Sequence, residues 1–146
     1  MVSSKYILLV EDNPDDEALT LRTLRKCGLA NEVHVVRDGA EALDFLFKAG
    51  RYENRSPNDL PALILLDLKL PKIDGLDVLK RIRADTGTKL LPVVIFTSSK
   101  EQQDLLAGYT NGANGYVRKP VDFAEFAEAV AALHLYWMIT NEPIPR

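Results

Sequence analysis

The sequence has one cysteine, two histidines, no excess of basic residues and no apolar run approaching the ~20 residues that cross a bilayer. Each shortage excludes something. A lone Cys27 rules out an internal disulfide and any multi-cysteine metal site, which points to a reducing compartment and makes Cys27 an expected buried small hydrophobe. A net charge of −3 offers no basic surface for nucleic acid. The leading MVSSK carries no positively charged segment followed by a signal-type apolar stretch, so the cytoplasm is the expected location and no membrane contact is foreseen. His34 alternates with Val33 and Val35 with no metal-ligating partner at the usual spacing, so its expected role is structural.

What is present is a chain of 146 residues, 47% hydrophobic and 27% charged, enough for one self-sufficient core that buries roughly two-thirds of the unfolded surface. Short runs rich in Val, Ile and Leu alternate with segments of helical period, the pattern of βα units around a parallel sheet. The first strand is expected near residues 5–10 and the first helix over about 14–27, with Ala18, Leu21, Leu24 and Arg25 at helical spacing. Pro14, Asp15 and Asp16 suit its start and Gly28 its stop. EVHVV reads as the second strand, followed by a helix whose apolar face is Ala42, Leu43, Leu46 and Phe47. RYENRSPNDLP is a long polar connection, either a partner-contacting loop or a tolerated insertion. Further helices are expected near 75–84 and 101–109. A last one, from about Asp122 to Ile139, carries a core stripe of Phe123, Phe126, Ala127, Val130, Leu133 and Trp137.

Four apolar runs end on residues that handle phosphate or divalent metal: YILLV before Glu11 and Asp12, ALILL before Asp67, PVVIF before Thr97, and GYV before Arg118, Lys119 and Pro120. In parallel sheets ligands bind beyond the carboxyl ends of the strands, so these stops are expected to meet at one edge. Glu11, Asp12 and Asp67 would then offer hard oxygen ligands to an ion such as Mg²⁺, which takes one or two carboxylates and keeps several waters. Clustered carboxylates raise one another's pKa unless a cation sits among them. Asp67, at a strand end, could act as a nucleophile toward phosphorus, with Lys119 offsetting charge and Thr97 donating its hydroxyl. Each residue also has a plainer reading. Asp12 with Asn13 could cap the first helix, Thr97-Ser98-Ser99 could cap the fourth, and Lys119 could be a solvated charge.

Taken together, these residues resemble the response-regulator receiver domains of two-component signalling. The acidic pair, Asp67 within LLDLKLPKIDG, Thr97 thirty residues on and Lys119-Pro120 fifty-two residues on all match that pattern, and the likeness covers essentially the whole chain. It implies a flavodoxin-like, doubly wound α/β fold: a five-stranded parallel sheet of order 2-1-3-4-5 with five helices. The chain would be a single receiver domain over 1–146, with a core of about 4–140 and a short tail at 141–146. DGAEALDFLF, the loop with Tyr52 and Arg55, GANGYVRKPVD and Tyr136-Trp137 resemble more closely the single-domain regulators paired with phytochrome-type histidine kinases.

The resemblance implies that Asp67 accepts a phosphoryl group from a sensor histidine kinase and that Mg²⁺ is held by Asp12, Asp67 and the backbone carbonyl of Lys69, with Glu11 reaching it through water. Thr97 and Lys119 would contact the phosphoryl group, and Tyr116 would be the aromatic switch. The Lys119–Pro120 bond would be cis. The Lys69 side chain would either touch the phosphoryl group or stand in solvent. Activity would be that of a switch and not of an enzyme, with output through the face made by the fourth helix, fifth strand and fifth helix. The further apolar residues Leu135, Tyr136, Met138 and Ile139 suggest a homodimer through the last helix. Three rivals remain: a phosphohydrolase, which would need an acid where Lys69 stands; a flavodoxin-like cofactor binder, for which EDNPDD is too acidic; and an interaction module that is never phosphorylated.

Overall fold

In a computed structural model, residues 5–28 and 33–145 are described. Five strands, β1 (Ile7–Val10), β2 (Val33–Val36), β3 (Leu63–Leu66), β4 (Val93–Thr97) and β5 (Gly115–Arg118), form one sheet of order β2-β1-β3-β4-β5. All pairings are parallel, with Val10 opposite Val36 and Leu66, Leu66 opposite Ile95, and Thr97 opposite Arg118. This is the expected doubly wound fold. The register aligns the ends of the central strands, so the residues just beyond them fall along one edge.

Five helices connect the strands: α1 (Pro14–Lys26), α2 (Gly39–Phe47), α3 (Gly75–Ala84), α4 (Gln102–Thr110) and α5 (Phe123–His134). Alternate residues of each strand point to opposite faces, so the core has two halves. Leu8, Val10, Ile64, Leu66, Val93 and Ile95 pack with the buried faces of α2 and α3. Ile7, Leu9, Leu63, Leu65, Val94 and Phe96 pack with Leu24 of α1 and with Phe126, Val130 and Leu133 of α5. Burial on both faces explains why β1, β3 and β4 read as unbroken apolar runs.

Local chemistry sets the helix ends. Asn13 caps α1 by accepting from the amides of Asp15 and Asp16 at 2.9 and 3.0 Å, and Asp38 and Asp122 cap α2 and α5 from the same position. The expected face of α1 is displaced: Ala18 and Arg25 are exposed, whereas Thr20, Thr23 and Leu24 are buried. Thr23 tolerates burial because its hydroxyl donates to the carbonyl of Leu19 at 2.9 Å. Cys27 ends α1 only partly buried, not in the core, because the C-cap lies at the helix margin. Glu32, expected in β2, lies outside the described residues.

The last helix also departs from expectation. Regular α-helix stops at His134 and continues as a π-helical segment, Leu135–Thr140. Phe123 is 77% exposed, since the first turn of α5 starts at the carboxyl edge of the sheet with no strand beneath it. Met138 is buried, leaving Leu135, Tyr136 and Ile139 as the exposed apolar residues of the segment.

The long connection between α2 and β3 is tightly held. It opens with a 3-10 turn at Gly50–Tyr52, and the Arg55 guanidinium lies 3.6 Å over the Phe45 ring while donating to the Tyr6 hydroxyl at 2.8 Å and to the Phe45 carbonyl. His34 stacks on Phe45 at 4.3 Å and meets the Tyr52 hydroxyl at 3.3 Å, a structural position as expected. Among the described residues no helix is long and apolar enough to cross a membrane.

Candidate functional site

The sheet hydrogen bonds continue one residue past several strands, which fixes the residues beyond them. The amide of Glu11 donates to Val36 at 3.0 Å, that of Asp67 to Val10 at 3.1 Å and that of Lys119 to Thr97 at 2.7 Å. Glu11, Asp67, Thr97 and Lys119 are all buried, and Asp12 is exposed at the rim. The four strand ends do converge.

Asp67 is at the centre. Its Oδ1 accepts from Thr97 Oγ1 at 2.7 Å and from the Lys69 amide at 3.3 Å, and its Oδ2 meets Lys119 Nζ at 2.8 Å. Lys119 Nζ also contacts Glu11 Oε1 at 2.7 Å and Asp16 Oδ2 at 2.9 Å. Among the described residues Lys119 is the one cation paired with Glu11 and Asp67. Burial alone would push its ammonium down, but Asp67 and Glu11 more than offset this and hold it above the ordinary lysine value. The opposite holds for Glu11. Burial pushes its carboxyl up to about 7, although the hydrogen bond from Lys119 works to lower it.

A divalent cation fits this donor set. Glu11, Asp12 and Asp67 can each place one carboxylate oxygen so that the three lie within 4.8 Å of one another, all hard ligands. Among the described residues a single ammonium, that of Lys119, is paired with two of the three, Glu11 and Asp67.

The loop after β3 is shaped by Gly75. A Cβ there would lie 2.3 Å from the Asp67 carbonyl oxygen and 2.7 Å from Leu68 Cα, so only glycine lets α3 start this close to Asp67. Gly75 also donates its amide to the Leu68 carbonyl at 3.0 Å.

A family model for the response regulator receiver domain matches residues 7–131. The chain belongs to that family. It is therefore a protein of two-component signalling, and its receiver fold extends through the described strands and helices. Response regulator Rcp1 of Synechocystis is 39% identical over 136 residues, covering 93% of this chain and 90% of that protein. The phosphorylated cyanobacterial phytochrome response regulator RcpA superposes with a TM-score of 0.91 at 36% identity, over 98% of this chain and 100% of that one. The bacteriophytochrome response regulator AtBRR is 52% identical, with a TM-score of 0.75, over 97% and 100% of the two chains.

Against the plainer readings of this receiver's residues, Asn13 and not Asp12 caps α1, Thr97 spends its hydroxyl on Asp67, and Lys119 is not solvated. Tyr116 on β5 is half-buried, donates its hydroxyl to the Ser99 carbonyl at 3.4 Å, and lies where a Cβ on Gly108 of α4 would come within 3.2 Å of its ring. The Lys69 side chain is 67% exposed, in keeping with the solvated position expected of it, and it also pairs with Asp104 Oδ2 at 3.6 Å, a partner that was not foreseen. No cis peptide occurs among the described residues, so the Lys119–Pro120 bond is trans, contrary to expectation. Proline lowers the cost of cis but leaves trans favoured by about 0.5–1 kcal/mol, so the sequence permits cis without requiring it.

Sequence reasoning missed Asp16, which it assigned to the helix dipole. Asp15 and Asp16 serve a dipole equally well, and only the direction of α1 brings one of them to Lys119. It also missed Asp104 and Ser99, whose Oγ donates to Asp104 Oδ2 at 2.6 Å.

Proposed function

We propose that this receiver accepts a phosphoryl group on Asp67 from the phosphohistidine of a sensor histidine kinase and passes the signal on through protein contacts. The observation that carries this reading is the convergence on Asp67 of one hydroxyl, one ammonium and two further carboxylates from four strand ends. An Asp67 carboxylate oxygen attacks phosphorus as the P–N bond to the kinase imidazole breaks. The bond electrons leave with the imidazole, which carries a proton on its other ring nitrogen and so departs as a neutral ring. Lys119, already ammonium, stabilises charge on the phosphoryl oxygens without needing to gain or lose a proton. Thr97 exchanges its hydrogen bond from Asp67 Oδ1 to a phosphoryl oxygen, and Tyr116 closes into the space this vacates.

Asp12, Asp67 and the Lys69 carbonyl would hold Mg²⁺, with Glu11 behind them. When bound, the ion neutralises charge on the transferring group. The relatives' pairing with phytochromes supports a phytochrome-type kinase as the donor. The exposed Leu105, Leu106 and Tyr109 on α4 and Leu135, Tyr136 and Ile139 after α5 support output through the α4–β5–α5 face and a homodimer through the C-terminal segment. The functional unit on this reading is a single receiver domain acting in the cytoplasm.

The test is incubation with Mg²⁺ and acetyl phosphate followed by intact mass. One phosphoryl group on the wild type and none on Asp67→Asn is the expected result. No adduct under conditions where the metal binds would favour a module that is never phosphorylated, and turnover of many equivalents would favour a hydrolase.

A further inference from the structure

Lys69 and Asp104 lie outside the phosphoryl contacts just described, yet they close a ring of polar contacts around them. From Asp67 Oδ1 the ring passes to Thr97 Oγ1 at 2.7 Å, and Thr97 Oγ1 accepts the Ser99 amide at 3.4 Å. Ser99 Oγ donates to Asp104 Oδ2 at 2.6 Å, and the same oxygen pairs with Lys69 Nζ at 3.6 Å. The Lys69 amide closes the circuit by donating to Asp67 Oδ1 at 3.3 Å. Tyr116 is tied to this ring through the Ser99 carbonyl.

Asp104 sits in the first turn of α4, and α4 is held weakly elsewhere. Its only buried residue is Gly108, and its N-cap residue Glu101 makes no side-chain capping bond. An element with so few buried apolar contacts opens at low free energy. Its tie to the rest of the site is therefore the polar ring. Within that ring the Lys69–Asp104 pair is the one direct link between the first turn of α4 and the loop that carries Asp67.

We propose that the Lys69–Asp104 ion pair is a phosphorylation-sensitive latch that holds the first turn of α4 to the phosphoacceptor loop. The proposal rests on Asp67 as the phosphoacceptor. A phosphoryl group on Asp67 brings ≈ −1.5 to −2 of charge and three acceptor oxygens. Lys119 is already engaged by three carboxylates. Lys69 has its own backbone on Asp67 and a mostly exposed side chain that is free to swing. The phosphoryl group attracts the Lys69 ammonium more strongly than a single carboxylate does. Asp104 then loses its cation, and the first turn of α4 is released together with the Ser99 carbonyl that orients Tyr116. Lys69 and Asp104 are positioning residues on this account, acting through α4.

Amide hydrogen exchange of α4, with phosphorylation read by intact mass, tests the latch. In the wild type the amides of residues 106–110 should exchange about two- to fivefold faster after treatment with Mg²⁺ and acetyl phosphate, the range an exposed ion pair supports. Asp104→Asn and Lys69→Gln should show that faster exchange before treatment, with no further rise after it, and Lys69→Arg should behave as the wild type. Variants that match the wild type before and after treatment would overturn the latch. So would variants that start fast and still accelerate on phosphorylation. Failure of the wild type to take up a phosphoryl group overturns the Asp67 reading instead, and the trigger with it.

Discussion

Lys119→Met is the sharpest test of the site's electrostatics. Methionine keeps the apolar stem and removes the ammonium that lies 2.7 Å from Glu11 and 2.8 Å from Asp67. The three side chains are 5, 2 and 8% exposed, so water cannot replace the lost cation. Removing one partner of a buried ion pair costs about 3–5 kcal/mol, and that is the expected loss at pH 8 with a chelator present. The pH dependence has a definite sign. The Glu11 carboxyl stands at about 7 with Lys119 in place and goes higher without it. A carboxyl raised above its unfolded value, about 4.3, favours the fold while protonated, and that contribution is lost as pH rises through the folded value. The penalty of the variant therefore grows from pH 5 to pH 8 and shrinks as Glu11 takes up its proton. Urea unfolding followed by circular dichroism in chelator measures it, and Mg²⁺ should restore part of the loss. Equal midpoints for the two proteins at pH 8, at unchanged m-value, would refute the view that these carboxylates are held as charges in a low-dielectric pocket.

Packing sets two further outcomes. Gly75→Ala should destabilise the protein by about 2–3 kcal/mol and impair phosphoryl uptake, because its Cβ meets the Asp67 carbonyl oxygen, which is backbone and cannot step aside; unfolding and intact-mass measurements check both. Leu135→Glu with Ile139→Glu, at positions 56 and 64% exposed, should leave unfolding stability within about 0.5 kcal/mol while abolishing a dimer seen by sedimentation at tens of micromolar. A wild type that stays monomeric there, with and without phosphodonor, would refute the dimer.

How much of this was legible in the sequence depends on whether the signal was local. Strands buried on both faces leave unbroken apolar runs, so β1, β3 and β4, and the polar residues ending them, could be read directly. The face of α1 could not. Its buried Thr20 and Thr23 look polar in sequence, and only the hydroxyl bond from Thr23 back to Leu19 makes its burial tolerable. Phe123 continues a perfectly good helical stripe, but periodicity does not say where the sheet beneath ends. Asp16 and Asp104 matter through partners distant in sequence, the first reaching a lysine 103 residues away and the second pairing with Lys69. The order of the sheet and the finer site roles came with the family pattern and not from spacing alone.

The balance of charge links the parts of the site. Glu11, Asp12, Asp16 and Asp67 crowd a single ammonium, so the pocket as folded repels anions. A phosphoryl dianion added to it would sit at a few ångströms from several carboxylates, where each unit-charge repulsion is about 4 kcal/mol at an effective dielectric constant of 20. Lys119 offsets only part of that charge, because its ammonium is shared with Glu11, Asp16 and Asp67. Two sources of positive charge remain: a metal on the acidic rim and the exposed ammonium of Lys69. The first makes the proposed transfer conditional on a bound cation. The second makes it costly for Lys69 to stay with Asp104 once the phosphoryl group has arrived. The same excess of negative charge that would keep the pocket unphosphorylated without metal would thus supply the force that draws the proposed latch open.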